Sequence, residues 1–166
     1  GSLNGGIVTS RSGAAVYHFT MNLKKTDDPG LVPFAANVLS RLINQWAGLS
    51  DPENGLLVAP GNVSMHTNIS EAYAHGEVSL SVRFDNSDQM EIVEEKIRKT
   101  ILKRYKSDLL FQMEGGPRRN AMIFNNNVEY FWKIIKQIGE SLDVRLLDEH
   151  RWSSSDIGFV SEDKYR

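Results

Sequence analysis

Asn62-Val63-Ser64-Met65-His66-Thr67-Asn68-Ile69-Ser70, followed closely by Val78-Ser79-Leu80-Ser81-Val82-Arg83-Phe84, is the stretch from which the fold can be read. Both runs alternate apolar and polar residues, the pattern of strands with one buried face. In the first run Val63, Met65, Thr67 and Ile69 share a face, and Ser64, His66 and Asn68 share the other. In the second, Val78, Leu80, Val82 and Phe84 face a core while Ser79, Ser81 and Arg83 face outward. The amide of Asn68 and the guanidinium of Arg83 therefore project from the same side of a sheet and are expected to stand together. Such a pair suits a carboxylate, because Arg presents a planar fork of donors to its two oxygens.

Upstream, Ala14 to Asn22 alternates in the same way, with Tyr17, Phe19 and Met21 on one face and His18 and Thr20 on the other. Lys24 to Gly30 is a polar loop, and Ala35, Val38, Leu39, Leu42, Ile43 and Trp46 then recur at helical spacing up to about Gly48. Ser50 to Gly55 is rich in turn formers. Pro60-Gly61 is expected to interrupt the strand that follows. Downstream, Met90, Val93, Ile97 and Ile101 form the stripe of a second helix running to about Tyr105, with Asp88 and Glu91 as its cap. Leu109, Phe111 and Met113 mark a fourth strand. The order strand, helix, strand, strand, helix, strand, with right-handed crossovers, predicts an α+β fold of ferredoxin-like type. Both helices then cover one face of a four-stranded antiparallel sheet. The uncovered face carries His18, His66, Asn68 and Arg83.

Composition changes at Glu114-Gly115-Gly116-Pro117-Arg118-Arg119-Asn120, which reads as a boundary. Beyond it Val128, Phe131, Trp132, Ile135, Ile138 and Leu142 predict a third helix, Val144 to Leu147 a strand, and Trp152 to Asp156 a loop. These elements are too few to enclose a core of their own. The expected organisation is a lead-in segment over 1–13, a βαββαβ domain over 14–114 and a helix-strand extension over 115–166.

The 166 residues carry a formal charge of −2, which gives no broad attraction to nucleic acid or to an anionic membrane. The outward face of the strands offers Ser, His and Asn rather than the aromatic platform of an RNA-binding sheet. No apolar run approaches the ~20 residues of a membrane span. With no cysteine there is neither a disulfide nor a thiolate site. The compartment is left open, with a cytoplasmic setting expected. The start, Gly1 to Gly6, lacks a basic region, a hydrophobic stretch and an initiating Met, and reads as a point inside a longer protein. His18, His66, His75 and His150 show no metal-ligand spacing. No Gly-x-Ser-x-Gly elbow or phosphate-binding loop is present, and the mixed charges from Glu91 to Lys99 read as a solvated helix face.

Several of these stretches together resemble the lid, or peptidase dimerisation domain, of the dinuclear-zinc amidohydrolases. That family includes glutamate carboxypeptidase, aminoacylase, acetylornithine deacetylase and succinyl-diaminopimelate desuccinylase. Gly6 to Ala14 is similar to the approach to that lid. Gly61 to Ser70 is similar to its Gly-x-x-x-x-Asn-hydrophobic-hydrophobic-Pro strand, with Ser70 where Pro is usual. Ser79 to Phe84 resembles its Asp-hydrophobic-Arg strand, and Asp156 after the serine run resembles its Gly-Gly-Thr-Asp loop.

The resemblance implies that Asn68 and Arg83 bind substrate, in some members within the partner subunit's active site. It also implies that residues 115–166 belong to the C-terminal part of a catalytic domain. Two zinc ions and the general-base Glu would reside elsewhere in a parent enzyme, leaving this chain without cofactor, metal ligand or catalytic residue and inert by itself. The expected function is dimerisation and substrate capping in a zinc-dependent carboxypeptidase or amidohydrolase. That enzyme would act on a small peptide or N-acyl amino acid, cleaving an amide next to a carboxylate, with a second copy as partner. One departure stands out. The family often carries a His in the loop after the first strand, whereas Lys24 to Gly30 has none; His66, on the same face as Asn68, is the substitute the sequence offers. The alternative is a non-catalytic ferredoxin-like interaction module.

Overall fold

The computed structural model describes residues 6–102 and 108–159. Two units make up these residues. The larger contains β2 (Gly13–Leu23), α1 (Leu31–Ala47), β3 (Leu56–Asn68), β4 (Tyr73–Phe84), α2 (Ser87–Leu102) and β5 (Leu109–Arg119). Its strands lie in the order β3-β4-β2-β5, and each neighbouring pair is antiparallel. This is the ferredoxin-like α+β arrangement that the alternation and helical spacing predict.

The buried face of that sheet follows from residue parity. Tyr17, Phe19, Met21, Val78, Leu80, Val82 and Phe84 are all buried beneath the helices. From α1 come Ala35, Val38, Leu39, Leu42 and Trp46, and from α2 Met90, Val93 and Ile97. Trp46 meets the edge of Phe19 with ring centroids 4.8 Å apart, and its indole N–H donates to Thr100 Oγ1 at 2.8 Å, so its one polar atom is satisfied at the helix–helix seam.

Tyr17 solves the same problem differently. Its hydroxyl donates to Glu94 Oε2 at 2.7 Å, while Arg98 binds the other carboxylate oxygen at 2.7 Å. Burial first, then the bond to Glu94 and its charge, push the Tyr17 phenol well above its ordinary range. For Glu94 burial acts in the opposite sense, but the bonds from Tyr17 and Arg98 and the Arg98 charge outweigh it and hold the carboxyl below its usual range.

The smaller unit is a parallel pair, β1 (Gly6–Arg11) with β6 (Leu147–Arg151), and α3 (Asn126–Ser141) between them in sequence. Asn125 caps α3 by accepting from the Val128 N–H at 3.0 Å. Ile7, Val8, Met122, Val128, Phe131, Trp132 and Ile135 line an apolar cleft between β1 and α3.

Five details differ from the expectations. The cap of α2 is Asn86, whose side chain accepts from the Asp88 N–H at 2.8 Å, so the helix begins ahead of Asp88. The continuation of α2 to about Tyr105 lies outside the described residues. The last strand starts at Leu147 rather than Val144, because Val144 still bonds the Gly139 carbonyl in the turn that closes α3, and pairing begins only where Leu147 meets Gly6. Pro60-Gly61 does not split β3; the strand passes through an irregularity between Gly61 and Ser64, with Asn62 at φ 46°. The glycine-rich stretch after Met113 is also still strand. β5 reaches Arg119, and Gly115, at φ 101°, lets the chain pass so near the Val16 carbonyl that a Cβ there would collide with it. Within the lead-in segment, Gly6–Arg11 forms a strand, β1, that the sequence pattern does not predict.

Tyr17→Phe should cost about 1 kcal/mol of stability at neutral pH by removing the bond to Glu94. The native pair should also limit stability at both ends of the pH scale. Glu94, held low in the folded chain, contributes stability that is present above its ordinary 4.5 and lost as pH falls below it. Tyr17, held high, contributes stability that is full below its ordinary 10.0 and lost as pH rises past it. Thermal melting from pH 3 to pH 11 should show both limbs flattened in Tyr17→Phe.

Candidate functional site

The face of the larger sheet opposite the helices is open, and the register arranges its side chains in rows. Residues directly opposite on neighbouring strands share a face, so each row can be read from the pairing. One end carries Leu57, Arg83, Ala14 and Arg119. The middle carries Ser79 beside His18, whose Nδ1 is 3.1 Å from Ser79 Oγ. The far end carries His66, His75 and Asn22, then Asn68 beside Tyr73.

Asn68, His66 and Arg83 thus share the uncovered face, and the structure does not bring Asn68 and Arg83 together. Asn68 stands opposite Tyr73, the first residue of β4, and Arg83 is the penultimate residue of that strand of 12. At about 3.3 Å per residue they are roughly 30 Å apart. The expected clamp within one chain is therefore not formed. Alternation reports which way a side chain points, and the position along the strand comes from where the hairpin turns. Here the turn at Ile69–Ala72 puts Asn68 at the tip, with its Oδ1 accepting from the Glu71 N–H at 3.3 Å.

At the Arg83 end, a guanidinium that sequence reasoning missed stands nearby. Arg119 lies opposite Ala14 on one side as Arg83 does on the other, so two arginines flank β2 on one face. The Nε of Arg119 holds Asp156 Oδ1 at 2.8 Å. Arg83 makes no ion pair among the described residues; its guanidinium donates to its neighbour's carbonyl, Val82 O, at 3.3 Å. Sequence offered little signal for Arg119, because it lies in the stretch read as a boundary and its strand position depends on the irregularity in β5.

At the tip, His66 is exposed and stands opposite His75. His75 is held at both nitrogens, Nδ1 2.7 Å from Asn22 Oδ1 and Nε2 3.0 Å from Glu77 Oε1. The loop Lys24 to Gly30 leaves β2 at this same end of the sheet. Its Asp28 is spent on local structure, accepting from the Gly30 N–H at 2.9 Å ahead of α1. The tip therefore presents an amide and an imidazole, and the opposite end presents cationic forks.

Among the described residues, no group of three or more His, Cys, Asp or Glu side chains converges as metal ligands would. No described helix is long and apolar enough to cross a membrane.

No family model matches the sequence, and no curated protein is similar to it in sequence. Solved structures are similar in fold. The aminopeptidase PepT of Bacillus cereus superposes on 95% of this chain and 43% of its own with a TM-score of 0.78 at 15% identity. A tripeptidase of Staphylococcus aureus matches 94% of this chain and 42% of its own, with TM-score 0.73 and 11% identity. The YXEP protein of Bacillus subtilis, a dinuclear metal binding peptidase of the M20 family, matches 97% of this chain and 40% of its own, with TM-score 0.68 and 11% identity.

The chain thus spans about two fifths of the length of the structures it matches, and both of its units fall within the matched region. Its fold is one that these peptidases contain.

Because Arg83 contributes little to the fold, Arg83→Ala should shift the thermal midpoint of this chain by no more than about 0.5 kcal/mol equivalent. A differential scanning calorimetry shift several times larger would make Arg83 a structural residue and remove it from the site.

Proposed function

We propose that this chain is the dimerisation and substrate-capping portion of a metal-dependent peptidase or amidohydrolase, with Asn68 and His66 at one end of the lid and Arg83 at the other. In this reading β2 to β5 form the lid. β1, α3 and β6 are a piece of the catalytic domain, whose zinc ions and general base are supplied by the remainder of the enzyme. The chain itself binds and orients.

The observation that carries the reading is the separation of Asn68 from Arg83 on one continuous face. Among the described residues β3 is an edge strand, with β4 as its only strand neighbour in the sheet. A second copy paired antiparallel along that edge, about a two-fold axis near Asn62, would extend the sheet with its open face unchanged. Asn68 would then lie opposite Leu57 of the partner subunit, on the open face, two strand spacings, or roughly 10 Å, from Arg83 of the partner subunit. A small N-acyl amino acid or peptide can span that gap, with its carboxylate on Arg83 and its carbonyl toward Asn68 and His66. Arg119, freed from Asp156, supplies a second fork for the same carboxylate.

The smaller unit supports a larger parent. Most of the large apolar side chains left exposed lie between Ile123 and Phe159, among them Phe131, Ile138, Leu142 and Leu147. A two-stranded parallel sheet is also far below the usual extent of such sheets, which are covered on both faces. These surfaces fit the remaining layers of a catalytic domain.

Mixing two inactive variants tests the arrangement. In the full-length enzyme, Asn68→Ala and Arg83→Glu should each lower kcat/KM by 10²-fold or more, the cost of removing one partner of a desolvated charged contact. Heterodimers of the two variants should regain one complete site out of two if the clamp forms between subunits. No recovery on mixing rejects the shared site, and unchanged kinetics in both variants leaves only a pairing module. Sedimentation equilibrium of this chain should show dimer at high concentration; monomer throughout would reject the two-fold edge.

A further inference from the structure

The two segments that join the units run side by side. Arg11 and Met122 exchange both backbone hydrogen bonds, at 3.0 and 2.9 Å. Two short adjacent linkers make a natural axis of rotation, since a few residues can absorb the change in backbone angles. On the side of β4, however, that axis is tied.

Ser12, fully buried between the units, donates its hydroxyl hydrogen to Asp85 Oδ1 at 2.7 Å. Its oxygen lies 3.3 Å from His150 Nε2, and His150 Nδ1 lies 3.0 Å from Ser10 Oγ. Asp85 follows β4 in the larger unit, whereas His150 and Ser10 belong to β6 and β1. Because the Ser12 hydrogen is committed to Asp85, its oxygen must accept, so His150 Nε2 donates. In the neutral ring Nδ1 then accepts from Ser10. The relay Ser10 to His150 to Ser12 to Asp85 leaves no donor or acceptor mismatched, and it is anchored at its centre by the buried Ser12 hydroxyl.

Asp85 is fixed from behind as well. Its N–H donates to the Gly55 carbonyl at 3.0 Å, and Gly55, at φ 76°, sits so close that a Cβ would strike the Asp85 carboxylate. Trp152 presses on the His150 ring edge-on, with centroids 5.6 Å apart. The trio is not a nucleophilic site. The carboxylate shares the ring nitrogen that faces the serine instead of orienting the other one, at 3.5 Å, and the serine has no solvent access. On the far side of the axis, Arg119–Asp156 and the bond of Arg11 to Ser153 Oγ at 2.9 Å are exposed, where such contacts hold little.

We propose that the Asp85–Ser12–His150 relay is the clasp that sets the angle between the four-stranded unit and the β1–α3–β6 unit, and that the exposed Arg119–Asp156 pair does not. The clasp is a property of this chain and does not depend on the enzymatic reading.

Nitroxide labels at Ser81 on β4 and Lys136 on α3, both exposed in a chain without cysteine, allow the angle to be measured by pulsed electron resonance. The unaltered chain should give one narrow distance distribution. Ser12→Ala and His150→Phe, which keeps a ring against Trp152, should each broaden it about twofold, while Arg119→Ala leaves it unchanged. An equally narrow distribution in His150→Phe, a broad one in the unaltered chain, or an equal broadening by Arg119→Ala would overturn the proposal. His150→Phe decides the matter if Ser12→Ala does not fold.

Discussion

The antiparallel register of β4, held between β2 and β3, is the constraint on which the rest depends. β4 is paired along nearly its whole length on both sides, from Phe84 opposite Gly13 and Leu56 to His75 opposite Asn22 and His66. A slip of one residue would turn Val78, Leu80, Val82 and Phe84 out of the core and bring Glu77, Ser79 and Arg83 into it. The cost of burying those groups pins the strand. Once it is pinned, the positions of Arg83, His75 and Asn68 on the open face are settled together.

The same register gives the open face a polarity along its length. Cationic forks collect where the sheet meets the smaller unit, and amide and imidazole groups collect at the hairpin tip. A single copy offers each half of a binding surface without the other. Two copies joined at the β3 edge offer both, and this is why a dimer and a shared site arise from one geometric fact in the reading proposed here. The incomplete coverage of α3 is consistent with it, since a surface with Phe131, Ile138 and Leu142 exposed is ill suited to standing alone in water.

Polar groups at the seams do a different task from the apolar core. The core selects the fold, through Trp46, Phe19, Tyr17 and their neighbours. Ser12, Asp85 and His150 add direction, because hydrogen bonds have a sense and an angle whereas apolar contact has neither. Tyr17 and Glu94 do the same at the helix-sheet seam, tying α2 to the central strand at a point where an apolar side chain would allow sliding.

Local pattern alone decided much of this protein. The alternation in β2, β3 and β4 and the 3.6-residue spacing in α1 and α2 carry the α+β class, the βαββαβ order and the buried face of each strand, because each is a matter of neighbours a few residues apart. The open face with His18, His66, Asn68 and Arg83 follows from the same parity. What local pattern cannot hold is distance along a sheet and contact across the chain. The separation of Asn68 from Arg83 depends on where a hairpin turns. The pairing of β1 with β6 depends on residues about 140 positions apart meeting. Arg119 gains its place beside Ala14 through an irregularity in β5, and Ser12 meets His150 only after both units are built. Those are long-range packing decisions, made when burial and hydrogen-bond satisfaction are settled for the whole molecule at once.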